Sequence, residues 1–429
     1  MINKIIFLLL ALVFLAPSKK ALSQFTFNTY AIHKVNVIDV KNNLIIENQT
    51  IIINDGMIAA IVDADTYRKS DSTQTLNFKG YFITPGLIDA HVHLGTNPSS
   101  GDNLAATLDR LNYLLSKGVT TVRDMAGDAR YLSYLSRQAS LDEIPAPNIH
   151  FSALLAGESF FKDPRTRAAA QGLPPGTAPW MRAVKADSDV DQIIAEAKGT
   201  GATGIKIYAD LDFTHIEKIV RAAHAQEMKV WAHSCVFPAR PSEVCRAGVD
   251  VMSHATYLAW EGEKDIPNTA ANRHRKHAEF NAKNPGFSSL IEQMSNRKTI
   301  LDATLCVYKR YFPDSTLYQY GVSLTKLAYQ NNIKIGVGTD LALTDLSGTV
   351  PLIQEMSALQ EDVGMQPIEV IQAATIVNAE MIGEAHSIGS IEVGKKANLL
   401  ILEKNPVEDI NYLKDLEVVI KNGQLFNSN

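Results

Sequence analysis

The feature that most restricts this chain's fold is an alternation in its middle. Short apolar runs suited to β-strands recur at 87–91, 119–123, 149–155, 204–208, 229–232, 249–253, 300–305 and 334–338. Most are separated by segments with helical spacing. Leu104, Leu108, Leu111 and Leu115 share one helical face, as do Ile216, Ile219, Val220 and Ala223. Parallel strands need a long crossover, usually a helix, so strand–helix repetition implies an α/β fold with a parallel sheet. Eight such units predict a (β/α)8 TIM-like barrel over residues 85–387. Two connections, roughly 156–186 and 257–286, are long, and long loops in compact domains are usually functional.

The chain ends have another texture. Runs at 29–38, 44–53 and 57–62 alternate with turns, and Asn54-Asp55-Gly56 between the last two is a hairpin signal. Runs at 388–393, 397–402 and 418–425 return to this style, with Gly389, Gly394 and Gly423 among them. The expectation is a small β-sandwich domain built from residues 24–84 and 388–429. Residues 1–23 differ again. Lys4, the apolar run 5–16 and the small residues of Ala21-Leu22-Ser23 read as a signal peptide cleaved near Ser23, with export to the periplasm or medium. The run is shorter than the about 20 apolar residues of a membrane span, so no stable membrane anchor is expected, an uncleaved anchor being the alternative. A net charge of −5 gives no electrostatic case for a nucleic-acid partner. Three cysteines, Cys235, Cys245 and Cys306, are odd in number and too few for a disulfide framework, so the core must carry the fold.

Polar residues of metal-ligand type close several of the barrel runs. His91 and His93 lie two apart, and in an extended strand such residues face the same side. Lys206 lies in the fourth run, His233 and His254 end the fifth and sixth, and Asp340 ends the eighth. Barrel active sites sit at the C-terminal strand ends, which is where these residues fall. Any one of them alone could be an ordinary rim residue; the set is not easily read that way. Lys206 interrupts an apolar run, which is costly for an ammonium unless it is paired or used. An ammonium has no lone pair for a metal. Reaction with carbon dioxide would turn it into an anionic carbamate able to bridge two cations; a catalytic or salt-bridged lysine is the competing reading. Tyr208 faces the same side as Lys206 and could donate to a substrate carbonyl.

These residues resemble the ligand set of the amidohydrolase superfamily: H-x-H on the first strand, a carboxylated lysine on the fourth, histidines on the fifth and sixth, and aspartate on the eighth. Gly86-Leu87-Ile88-Asp89-Ala90-His91-Val92-His93 is similar to its first-strand signature. Thr120-Thr121-Val122-Arg123-Asp124, Ala373-Ala374-Thr375 and the stretch from Gly389 to Leu399 are also similar to it. The spacing is nearest to imidazolonepropionase-like proteins and the binuclear Xaa-Pro or Xaa-Arg dipeptidases, and Lys206 favours the two-metal, dipeptidase-like side. The resemblance implies one divalent cation on His91, His93 and Asp340, a second on His233 and His254, and carboxylated Lys206 between them. Zinc is the default for nitrogen and oxygen ligands. A metal-bridging hydroxide would cleave an amide C–N bond, with Asp340 carrying the proton. Asp124 has no metal role in the family and is expected to make an orienting hydrogen bond.

The substrate is expected to be a small molecule, a dipeptide or small amide. Arg273 and Arg275, in a basic cluster of the loop after the sixth strand, could hold a substrate carboxylate, a solvated charge run being the other reading. A mononuclear cyclic-amide hydrolase or deaminase on the same fold, and a non-catalytic binding protein, are the rival classes.

Overall fold

The computed structural model describes residues 24–25, 28–71, 73–275, 284–312, 316–341, 343 and 346–427, with the side chains of 24–25, 273–275 and 427 left out. The signal-peptide expectation for residues 1–23 lies outside this set. Eight parallel strands form the barrel: β1 (Leu87–Val92), β2 (Val119–Asp124), β3 (Asn148–Gly157), β4 (Gly204–Ile207), β5 (Lys229–His233), β6 (Val251–Ser253), β7 (Ile300–Asp302) and β8 (Ile335–Gly336). Each pairs with the next. Between β8 and β1 the ring is nearly closed by the Ala90 N–H donating to Val337 O (3.1 Å) and the Asp340 N–H donating to His91 O (2.7 Å). The expected (β/α)8 barrel is therefore present. Helices cover it through the predicted faces: Ile216, Ile219, Val220 and Ala223 are all buried. On the helix Leu104–Ser116, Leu111 and Leu115 are buried, whereas Leu104 is exposed in the first turn.

The seventh strand is shorter than its sequence run. Thr304 takes a left-handed conformation (φ 49°), which ends the extended chain, and Leu305–Tyr311 is a helix. Buried Glu355 accepts the Leu305 and Cys306 N–H groups at 2.7 and 2.6 Å and so caps that helix.

The chain ends build the small β-sandwich. Its nine strands are hydrogen-bonded in the order Gln24–Phe25, Gln424–Asn427, Leu416–Lys421, Leu399–Leu402, Phe82–Pro85, Thr29–Asp39, Leu44–Asn54 and Met57–Asp63, with Gln74–Asn77 beside Thr29–Asp39. Alternate residues such as Tyr30, Ile32, Ile51, Ile83, Ile401 and Ile420 form its core. Two expectations change here. Residues 388–393 form bends and irregular chain rather than a strand, and Gly389 sits at φ +89° there. The run 418–425 is two strands, because Asn422 and Gly423, both at positive φ, make a hairpin turn. Phe82–Pro85 leads directly into β1, so the sandwich and the first ligand strand are continuous.

Candidate metal centre

His91, His93, Lys206, Tyr208, His233, His254 and Asp340 all line one cavity of about 260 Å³ at the C-terminal end of the barrel strands. The Nε2 atoms of His91 and His93 converge on Asp340 Oδ1 at 3.3 and 3.0 Å. One ligand atom from each of these three residues lies within 4.8 Å of the others, a spacing that would suit one metal ion. The remaining imidazoles continue the set, with ring centroids 5.2 Å apart for His91 and His254 and 4.6 Å apart for His254 and His233. The Tyr208 ring packs against His233, tilted, with centroids 4.1 Å apart.

The electrostatics suit cation binding. Burial pushes the Asp340 carboxyl up, but His91, the hydrogen bond from His93 and His254 outweigh it and hold the group far below the usual carboxylate range. Burial lowers His91, against Asp340 and Asp302, and drives His254 down to about 3. Both rings are therefore neutral near pH 7, the form with a lone pair to offer. Lys206 is 1% exposed, and among the described residues its Nζ has no hydrogen-bond partner. Burial brings its ammonium down to about 7, although Asp302 and Asp340 pull the other way. A buried unpaired ammonium is expensive. A carbamate at that nitrogen would bring anionic oxygens to the cavity that the four imidazoles and the Asp340 carboxylate also line, and this donor set suits divalent cations.

The backbone beneath the site is held under constraint. His254 (φ 72°), Thr304 (φ 49°) and Asp340 (φ 52°) are left-handed, a conformation that costs roughly 1–3 kcal/mol and persists only where the surroundings enforce it. Asp89 enforces it near Asp340 by accepting from Thr339 Oγ1 (2.9 Å) and N (3.1 Å). Gly338 is required by close approach, since a Cβ there would lie 2.4 Å from His91 Cβ. Asp124 takes the expected orienting role: its Oδ2 accepts the Leu94 and Gly95 N–H groups at 2.7 and 2.8 Å, pinning the turn after β1.

Two residues that touch the histidines escaped the sequence reading. Asp302 Oδ2 lies 2.7 Å from His91 Nδ1 and accepts from Ser253 Oγ at 2.9 Å, while the Arg123 guanidinium, stacked 4.4 Å over Trp231, stands 3.5 Å away. Thr304 Oγ1 lies 2.9 Å from His254 Nδ1. Such contacts orient an imidazole and leave its other nitrogen for a metal. Asp302 carried a signal, since a carboxylate closes the apolar pair Ile300-Leu301 just as Asp340 closes its own run. The side chains of Arg273 and Arg275 lie outside the described residues.

The model of the Amidohydrolase family matches residues 82–426. Ochratoxinase of Aspergillus niger is 26% identical over 89% of this chain and 83% of its own length. Imidazolonepropionase of Clostridium tetani is 22% identical over 90% and 92%. Among solved structures, a Xaa-Pro dipeptidase with bound methionine in its active site superposes with a TM-score of 0.75 at 21% identity, covering 93% of this chain and all of that one. The A. niger ochratoxinase structure gives 0.73 at 21%, covering 94% and 96%. With the family model spanning most of its length, the chain belongs to the amidohydrolase family.

Proposed function

We propose that this protein hydrolyses an amide C–N bond in a dipeptide or small amide, using two divalent cations with zinc as the default. The observation that carries the reading is Lys206, buried with an Nζ that has no hydrogen-bond partner among the described residues, in the cavity that four histidines and Asp340 also line. His91, His93 and Asp340 would hold one cation, His233 and His254 the other, and carboxylated Lys206 both. Bound there, the cations would supply a water acidified towards neutral pH and a Lewis acid for the scissile carbonyl. The chain's own part is positional. Asp340 would accept a proton at a carboxylate oxygen and return it to the leaving amine. The Tyr208 hydroxyl would donate to the substrate carbonyl. The names of the relatives support amide chemistry, and the methionine bound in the dipeptidase structure supports an amino-acid product.

The tight grouping of His91, His93 and Asp340 favours a second reading with one cation, as a mononuclear cyclic-amide hydrolase or deaminase would have. Metal analysis of purified protein separates the two, at two ions per chain against one. A panel of dipeptides, N-acyl amino acids and lactams identifies the bond. Lys206→Ala is expected to lose the second ion and, with it, nearly all turnover, and short carboxylic acids should restore part of both. Two retained metals and full turnover in Lys206→Ala would refute the carbamate reading.

A further inference from the structure

The cavity has two unlike walls. On one side stand Val307, Tyr308, Phe312 and Leu317, carried by the chain that follows β7. On the other, the long connection after β3 brings in Arg165, within electrostatic reach of Tyr208 and Tyr257. Among the described residues lining the cavity, Arg165 is the only arginine or lysine besides Lys206. It is also held in place. Asp163 accepts from its Nε at 3.1 and 3.0 Å and from Nη2 at 2.6 Å. That fork uses one edge of the guanidinium, and among the described residues Nη1 donates to nothing. An arginine fixed by a carboxylate on one edge and open on the other is preorganised for a second planar anion.

We infer that Arg165 selects the substrate by pairing with a free carboxylate on the amine side of the scissile bond, while the wall of Tyr308, Phe312 and Leu317 receives an apolar acyl group. The inference rests on the amide-hydrolase reading and names its substrate class: N-acyl amino acids or dipeptides with a free carboxyl end and an apolar acyl part. A hydrogen bond to a charged group contributes about 1.5–3 kcal/mol, or roughly 10–100-fold. Arg165 is about half exposed and already shares its charge with Asp163, so the lower figure, about tenfold, applies.

The test is benzoate release from N-benzoyl-leucine and from its carboxamide by the metal-loaded protein, with N-acetyl-leucine as the small-acyl probe. Wild type should prefer the free acid by about tenfold in kcat/KM and should handle the acetyl compound less well. Arg165→Gln should erase the acid preference, chiefly through a higher KM for the acid, because the carboxylate contact is the same in ground and transition states. Arg167→Gln, exposed and away from the cavity, should keep the preference. Calorimetric binding gives a readout independent of turnover: leucine should bind wild type more tightly than leucinamide, and Arg165→Gln should remove the difference. If wild type cleaves acid and carboxamide alike, or if the preference survives Arg165→Gln and is lost instead in Arg273→Ala with Arg275→Ala, the inference is overturned while the amide-hydrolase reading stands. No benzoate release from either compound and no leucine binding would sink both.

Discussion

Two lysines of this molecule are buried to the same degree and live in opposite circumstances. Lys421, on a sandwich strand, is fully buried, and its Nζ donates to Ala139 O and pairs with Asp142 at 2.6 Å. It joins the sandwich to the barrel at the end of helix Ala129–Ser140. Lys206, in the barrel mouth, is also buried, and its Nζ is satisfied by no described residue. Burial lowers both ammonium groups, but at Lys421 Asp142 opposes the effect at hydrogen-bond distance. The contrast separates structure from chemistry. A buried lysine with its partners in place braces a junction, whereas one left without them, among metal-ligand side chains, points to a modification or a catalytic use.

The largest effect expected at the mouth is on turnover. Asp340→Asn keeps the size and one acceptor oxygen of the side chain but cannot carry a proton, and lost general acid–base catalysis costs about 10²–10⁴-fold in kcat. Metal content should fall less than activity, since four histidines and the carbamate would remain. Measuring kcat, bound metal and melting temperature on one preparation decides the matter. A near-normal kcat with a lowered melting temperature would make Asp340 a brace like Asp142 and erase the contrast between the two regions.

The next effect should appear in stability. Lys421→Met removes one partner of a buried pair, a change that typically costs about 3–5 kcal/mol. The lower end is expected, because Asp142 keeps some solvent contact and weak hydrogen bonds from Asn422. Turnover per folded molecule should stay near wild type. In metal-free protein Lys206→Met should be neutral or stabilising under the same denaturant titration, since it replaces an unpartnered ammonium with an apolar chain. Equal losses from the two substitutions would show that Lys206 has a structural partner after all.

What the sequence makes legible follows the same division. The ligand-type residues are legible because His233, His254 and Asp340 close apolar runs, Lys206 interrupts one, and period two puts His91 and His93 on one side. Thr304 is not, and the signal at Asp302, a carboxylate closing Ile300-Leu301, is hidden because residues 300–305 read as one continuous strand. The left-handed turn at Thr304 has no signal in its side chain, a β-branched residue that disfavours that conformation. Arg165 was hidden for another reason: which loop arginine reaches the cavity depends on how a long connection folds back, and no period records that. The hairpin at Asn422-Gly423 carries a turn dipeptide, but the apolar residues on both sides read as one run across it.

The smallest effect tests that hidden layer. Thr304 Oγ1, fully buried, lies 2.9 Å from His254 Nδ1, and a hydroxyl there can accept the Nδ1 proton and leave Nε2 with its lone pair. Thr304→Val preserves the shape and β-branching of the residue, so the left-handed turn and the helix that follows it should survive. What is lost is one buried hydrogen bond, worth about 0.5–1.5 kcal/mol to folding, and the control it exerts over the His254 ring. Loss of such an outer contact typically weakens metal binding or activity about 10–100-fold. The lower end is expected here, because the Asp340 carboxylate, 3.7 Å from the same nitrogen, still favours a proton on Nδ1 and so a lone pair on Nε2. A competition titration of the metal-free protein against a chelator should show one site weakened about tenfold and the other, on His91, His93 and Asp340, nearly unchanged. Uniform weakening of both sites would mean that Thr304 acts through the turn and not through His254. Unchanged binding at both would mean that His254 needs no help to face a cation, and the difference between the two ends of the histidine row would then come from Asp302 alone.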